Sequence, residues 1–292
     1  MLRSCFIFET LAAIAVSPAP GNDSAIMRLR AIESQSGGRL GVFAVDTGDG
    51  RTLAYRPRER FPMCSTFKAL LVGAVLRRVD AGTEHLDRRV AYGPNVLLAY
   101  APVTRANVRH GFMTVRALCA AAIEVSDNTA ANLLLATVGG PASVTAFARS
   151  LGDTATRLDR TEPTLNGALP GDPRDTTTPQ AMADDLRAML LGPALSRGSR
   201  AELTGWLAAC RTGRMALRAG LPRTWQAGDK TGAGGPGNAT GDSNTRNDIA
   251  ILRPPRRRPI LVTAYLTGSM LSAAGSNAAL AAVARTVVAA FA

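Results

Sequence analysis

Lysine is almost absent from this chain. Of its 34 basic side chains 32 are arginine, and the two lysines are Lys68, in Met63-Cys-Ser-Thr-Phe-Lys-Ala-Leu70, and Lys230, in Asp229-Lys-Thr-Gly232. Arginine holds its proton under ordinary conditions, whereas lysine gives it up when burial or a neighbouring cation lowers its pKa. Lysines kept against the habit of the chain therefore suggest proton chemistry. Ser65 stands three residues before Lys68 at a predicted helix start, so the two share a face with Cβ atoms about 5–6 Å apart. A hydroxyl is a weak nucleophile until a nearby base takes its proton, which a lysine held close can do. The helix start adds backbone N–H groups able to hold a developing oxyanion. The alternative is a capping serine beside a surface lysine; the scarcity of lysine weighs against it.

Two further clusters carry polar side chains between apolar runs. Ser126-Asp-Asn128 joins two predicted helices and is bracketed by Leu118-Cys-Ala-Ala-Ala-Ile123 and Leu133-Leu-Leu135. A capping turn would explain it, but a hydroxyl and an amide at a packed corner also have the rigidity a site requires. Lys230-Thr-Gly232 ends a strand that begins at Trp225. Gly232 and Gly234 would let a ligand approach that strand edge, or they mark a hairpin turn.

The elements that must position these groups follow from periodicity. A helix opens at Asp23 or Ser24, carries Ile26, Leu29 and Ile32, and stops at Gly37-Gly38. Arg39–Val45 and Arg51–Tyr55 flank Asp46-Thr-Gly-Asp-Gly50 as a hairpin. Helical signals then dominate, over 65–79, 114–123, 128–137, 141–151, 179–191 and 199–210. Strands return at 225–232, 247–252 and 260–267, and a last helix runs from Ser276, its expected cap, to Phe291. The pattern is α/β (α+β): an antiparallel five-stranded sheet built from both ends of the chain and flanked by the N- and C-terminal helices, with an all-helical subdomain inserted. The expected sheet subdomain is 24–57 and 215–292, the helical one 58–214, and the seam between them is the natural cleft.

Composition excludes several classes. With 46% hydrophobic and 19% charged residues over 292 positions, disorder is not expected. Net charge is +12, yet the arginines are dispersed, and the densest run, Arg253-Pro-Pro-Arg-Arg-Arg-Pro259, has no interleaved aromatics; it reads as a solvated turn, and no nucleic-acid partner is expected. Cys5, Cys64, Cys119 and Cys210 are too far apart for a C-x-x-C metal or redox pattern, so no metal site is expected. His85 and His110, among polar or glycine neighbours, offer little for a Ser-His-Asp triad. Residues 1–20 combine an early arginine, an apolar stretch interrupted by Glu9 and small residues, as an export signal does, giving a periplasmic or secreted expectation. No other segment reads as the roughly 18 apolar residues needed to span a bilayer.

Taken in order, Ser65-x-x-Lys68, Ser126-Asp-Asn128 and Lys230-Thr-Gly232 are the S-x-x-K, S-D-N and K-T-G elements of class A β-lactamases and penicillin-binding proteins. Arg160-Thr-Glu-Pro-Thr-Leu-Asn166 resembles the E-x-x-L-N of the omega loop (157–177 here) of class A β-lactamases, closed by Arg174-Asp175 as in that family. The resemblance runs from about Ala25 to the C-terminus and includes Tyr100-Ala-Pro-Val-Thr104 and Leu221-Pro222. It implies a serine hydrolase of β-lactams, penicillins and some cephalosporins, that acts as a monomer without cofactor. Ser65 would attack the lactam carbonyl, with the backbone N–H groups of Ser65 and Ala233 as oxyanion donors. Glu162, held with Asn166, would activate the water that frees the ester; Lys68, or Glu162 through water, would be the acylation base. Ser126 would pass a proton to the lactam nitrogen. Asn128 would bind the substrate side-chain amide, Lys230 and Thr231 its carboxylate, with Tyr100, Gly232 and Arg246 also lining the cleft. Arg246 is the best match to a carboxylate-binding arginine, after a turn longer than the family's. Arg160 and Asp175 would pair across the loop. Cys64 faces Gly234 where some relatives have a second cysteine, and Cys119 faces Val72, so the resemblance implies free thiols. The rivals are a penicillin-binding D,D-peptidase, from which Glu162 separates a hydrolase, and a non-catalytic β-lactam sensor, from which turnover of a chromogenic cephalosporin separates it.

Overall fold

Strand β1, Arg39–Asp46, is buried along almost its whole length, which a strand achieves only when both faces of its sheet are covered. Alternate residues go to different cores: Val42 and Ala44 join one apolar cluster, Phe43 and Val45 the other. The computed structural model describes residues 22–235 and 244–292. The expected export signal, Cys5 and most of the turn after Lys230-Thr-Gly232 lie outside them.

In chain order, α1 (Asn22–Ser36) leads into β1 and β2 (Thr52–Tyr55), then β3 (Phe61–Pro62), α2 (Phe67–Asp80), β4 (Arg89–Ala91), α3 (Pro102–Asn107), β5 (Phe112–Thr114), α4 (Val115–Glu124), α5 (Asn128–Val138) and α6 (Pro141–Ser150). After β6 (Thr176–Thr177) come α7 (Pro179–Leu190), α8 (Arg197–Ala208), β7 (Gln226–Gly234), β8 (Thr245–Arg253), β9 (Ile260–Thr267) and α9 (Ala273–Phe291). The main sheet is antiparallel with order β2-β1-β9-β8-β7. The α+β architecture and the five-stranded sheet read from the sequence are both present. β7 ends this order, so among the described residues one of its edges has no strand partner.

One face of the sheet is covered by α1 and α9, whose Leu29, Leu280, Val283, Ala284 and Val287 close over Val42, Val262 and Ala264. The other face meets the helices between β3 and α8. Their hub is α2, in which Phe67 to Leu76 are buried without interruption. Packing there is close: a Cβ on Gly73 would fall 2.3 Å from the sulfur of Met189. Each large side chain so buried contributes about 1.5–3 kcal/mol.

Several boundaries differ from expectation. The last helix is capped by Ser272, whose hydroxyl accepts from Gly275 N at 3.1 Å; Ser276 is buried one turn inside. Ser196, not Ser199, caps α8. The expected cap Ser276 and the expected helix start Ser199 are both serines within a turn of the true cap, where side-chain type cannot choose. The paired strands β3–β6 and β4–β5, two or three residues each, and the short α3 were not expected, being too brief to show a period. Contrary to the expectation for segments beyond the N-terminus, α9 is long and apolar enough to cross a bilayer. Its apolar stripe is instead covered by the sheet and α1.

Candidate active site

Ser65 does not cap the helix it precedes. Cys64–Thr66 form a 3-10 turn running directly into α2, whose N-cap is Thr66 with no side-chain cap bond. The Ser65 hydroxyl is therefore available to other partners. Lys68 Nζ donates to Ser65 Oγ at 2.9 Å, and Ser65 Oγ donates to Glu162 Oε1 at 3.1 Å. Glu162 Oε1 also lies 2.9 Å from Lys68 Nζ, with both side chains fully buried. A buried ion pair persists only where further polar contacts satisfy it. Here Lys68 also donates to Ser126 O (2.9 Å), Ser126 Oγ (3.2 Å) and Asn128 Oδ1 (2.6 Å). Burial, against the attraction of Glu162, lowers the Lys68 pKa from its ordinary value, which brings its neutral form within reach.

Ser126 projects from the turn between α4 and α5 with φ of +60°, a left-handed conformation that non-glycine residues adopt at some energetic cost. Asp127 holds that turn. Its carboxylate accepts from Val103 N, Thr104 N and Ala130 N, each at 2.9 Å, and from the Thr104 hydroxyl. Asn128 N donates to Tyr100 O (3.1 Å) and Tyr100 OH to Val125 O (3.1 Å). Tyr100, about half exposed, thus forms the outer rim of the same corner.

Glu162 is positioned from both sides. Asn166 Nδ2 donates to Glu162 Oε2 at 2.5 Å. Asn132 brackets the Glu162 backbone, donating to its O at 2.8 Å and accepting from its N at 3.0 Å. Asn166 Oδ1 is buried without a donor among the described residues. At the base of the loop Arg160 Nε meets Asp175 Oδ2 at 2.5 Å, the expected pair, and Asp175 Oδ1 also accepts from Asp159 N and Arg160 N.

On β7, Lys230 Nζ donates to Ser126 Oγ at 3.0 Å and to Thr231 O at 2.8 Å. The two lysines thus converge on one hydroxyl. Burial lowers the Lys230 pKa to about 8, Cys210 opposing and the Lys68 charge assisting. The glycines have a structural cause: a Cβ on Gly232 would lie 2.7 Å from Met63 O, and one on Gly234 2.5 Å from Cys64 Sγ and 2.7 Å from Asn166 O. They let β7 lie against the nucleophile turn and the omega loop. Thr231 Oγ1 meets Thr212 Oγ1 at 2.6 Å. Arg246 pairs in register with Ala233, on the same sheet face. It makes no ion pair among the described residues, and burial lowers its pKa. Cys64, Cys119 and Cys210 are free and buried.

Behind β7 lies a pair of carboxylates. Thr231 is opposite Asp248 and Asp229 opposite Ala250, so Asp229 and Asp248 are diagonal neighbours on one face. Both are fully buried. Arg218 bonds Asp229 and Leu217 N donates to Asp248 at 3.0 Å, yet Asp229 Oδ2 and Asp248 Oδ1 have no hydrogen-bond partner among the described residues. Burial, then the Asp229 charge, raises the Asp248 pKa well above the carboxylate range. Burial raises the Asp229 pKa as well, with the charge and hydrogen bond of Arg218 opposing.

The structure therefore brings Ser65, Lys68, Ser126, Asn128, Glu162, Asn166 and Lys230 into one hydrogen-bonded cluster, with Thr231, Ala233 and Arg246 on the adjoining strands and Tyr100 at the rim. Sequence reading passed over Asn132, Asp127, Thr212 and Asp248. Asn132 had a signal: it is one helical turn from Asn128, a lone amide between Ala131 and Leu133.

A family model described as the Beta-lactamase enzyme family matches residues 25–291. Among curated relatives, β-lactamase AST-1 of Nocardia asteroides is 51% identical over 89% of this chain and 82% of its own length. CTX-M-25 of Escherichia coli is 47% identical over 98% and 96%. Among solved structures, an ancestral class A β-lactamase is 59% identical with a TM-score of 0.87, covering 91% of this chain and all of the other. A putative class A enzyme, PenP of Rhodopseudomonas palustris, is 55% identical with a TM-score of 0.87, covering 92% of this chain and 100% of that one.

Proposed function

The chain belongs to the class A β-lactamase family, and from that premise we propose how its residues carry out the reaction. It is a hydrolase that opens β-lactam antibiotics through a serine ester and so confers resistance. Ser65 Oγ attacks the lactam carbonyl as its proton passes to Lys68, or to Glu162 through water. Backbone N–H groups of Ser65 and Ala233 hold the oxyanion. Ser126, the meeting point of both lysines, passes a proton to the departing nitrogen.

In the second half-reaction Glu162 takes a proton from the water that attacks the ester, and the free Oδ1 of Asn166 is a ready acceptor for that water's other proton. Lys230, Thr231 and Arg246 receive the substrate carboxylate; Asn128 binds its side-chain amide and Tyr100 borders the entrance. Gly232 acts indirectly, by letting β7 approach the nucleophile. The omega-loop clamp of Arg160 and Asp175 is positional. We further propose that the protein is an exported monomer without membrane insertion.

The observation that carries this reading is the bond between Ser65 Oγ and Glu162 Oε1 at 3.1 Å. A D,D-peptidase or a sensor has no need of a carboxylate in reach of its nucleophile. Purified protein is expected to hydrolyse a chromogenic cephalosporin with many turnovers; a single stoichiometric burst without turnover would favour the rivals.

A further inference from the structure

Behind the omega loop, away from the nucleophile, a cavity of about 660 Å³ separates the loop from the far end of the sheet. Four guanidinium groups line it. Arg39 and Arg60 come from the body of the protein, Arg160 and Arg174 from the loop, and among the described residues Asp172 is the one acid in the lining. Asp172 is shared, 2.9 Å from Arg174 and 3.5 Å from Arg160. Outside the lining, Glu59 pairs with Arg39 at 3.0 Å and also with Arg56 at 3.0 Å, and Asp175 pairs with Arg160.

Arg60 makes no ion pair among the described residues. Its Nη1 donates to Ala155 O at 2.7 Å and Thr176 Oγ1 at 3.1 Å, while Nε and Nη2 have no acceptor among those residues. Among the described residues, four guanidiniums against three acids, one of them shared with Arg56, leave a surplus of positive charge facing the cavity. The planar donor forks of arginine match tetrahedral oxyanions and bind them in paired hydrogen bonds. The side chains of Arg39 and Arg174 are 40% and 51% exposed, so they can turn toward a ligand without desolvating a buried ion.

We propose that this cavity binds a phosphate-class oxyanion that bridges Arg60 on the body to Arg174 on the omega loop. The bridge ties the segment carrying Glu162 to the sheet. An anion that binds the closed loop and not the loosened one shifts the balance toward the closed form. The site is separate from the carboxylate receptor on β7 and does not depend on the reaction proposed above.

The test is calorimetric titration at low ionic strength with inorganic phosphate and, separately, dimethyl phosphate, alongside hydrogen exchange of residues 157–177. Binding with a Kd in the millimolar range or tighter is expected, with slower exchange in the loop. Tighter binding of inorganic phosphate identifies a free anion as occupant, and tighter binding of dimethyl phosphate a polymer- or lipid-borne phosphodiester. Arg174→Gln, which leaves the Arg60 bonds to Ala155 and Thr176 in place, should weaken binding about tenfold; Arg60→Gln should do the same with its fold checked by circular dichroism. Unchanged affinity in both variants would overturn the proposal. So would absence of binding at about 10 mM anion, or binding that vanishes only in Arg246→Ala, which would put the anion in the cleft.

Discussion

The two lysines occupy environments that are alike in burial and opposite in company. Lys68, on the floor of the site, touches a carboxylate, two hydroxyls, a carbonyl and an amide oxygen. Lys230, on the strand edge, touches one hydroxyl and one carbonyl, and its nearest acids stand behind the sheet. Desolvation lowers the pKa of both. What differs is where a proton can go. Lys68 sits between Ser65 and Glu162 and can exchange with either, whereas Lys230 has only neutral contacts and serves as a fixed positive charge for as long as it keeps its proton. In the reaction proposed above, one residue type, placed twice in a chain of arginines, is thus suited to carry a proton in one region and to anchor the substrate in the other.

The largest expected effect breaks this comparison at the floor. Lys68→Arg keeps the charge but cannot release a proton, and kcat/KM for a penicillin should fall about 10²–10⁴-fold, measured by steady-state hydrolysis. The same substitution at the edge, Lys230→Arg, should cost only about tenfold, or ~1.4 kcal/mol, and mainly in KM. Equal losses at the two positions would dissolve the distinction.

A pH profile sharpens it further. Because kcat/KM reports the free enzyme, it should decline as pH rises through about 8, the Lys230 value, by up to about tenfold per pH unit. Lys230→Arg should move that decline to higher pH; an unaltered alkaline limb would assign it elsewhere.

The smallest effect concerns the pair behind the strand. The folded pKa of Asp248 is raised, so the folded state binds more protons than the unfolded chain. Its stabilising protonation is complete below the ordinary carboxylate range and is lost as pH climbs through the folded value. Asp248→Asn should remove that slope from a series of thermal melts, changing stability by less than about 1 kcal/mol at neutral pH. A slope unaffected by the substitution would mean that the pair does not share a proton.

Much of this was legible before any coordinates. The lysine bias singled out Ser65 and Lys68, the period-2 and period-3.6 patterns located the five long strands and the major helices, and motif order supplied Glu162 and the Arg160–Asp175 clamp. What stayed hidden was set by contacts distant in sequence. Asp127 matters through amides at 103 and 104, Asp248 through Asp229 across a strand pair, and Asn132 through a loop 30 residues away. The glycines at 232 and 234 were read as room for a ligand or a turn, when the constraint is the approach of Met63, Cys64 and Asn166. A nearby serine misled the cap assignment at 272 and the helix start near 196 for the converse reason, since local type was uniform and only geometry chose.

Intact-protein mass spectrometry of Glu162→Gln after mixing with a penicillin tests the central claim most directly. A species heavier by one whole penicillin, persisting for minutes and mapping to Ser65, is expected, while the unsubstituted enzyme clears the same adduct within the mixing time. Unmodified Glu162→Gln protein, or an adduct that it releases as fast as the parent, would contradict the division of labour between Ser65 and Glu162.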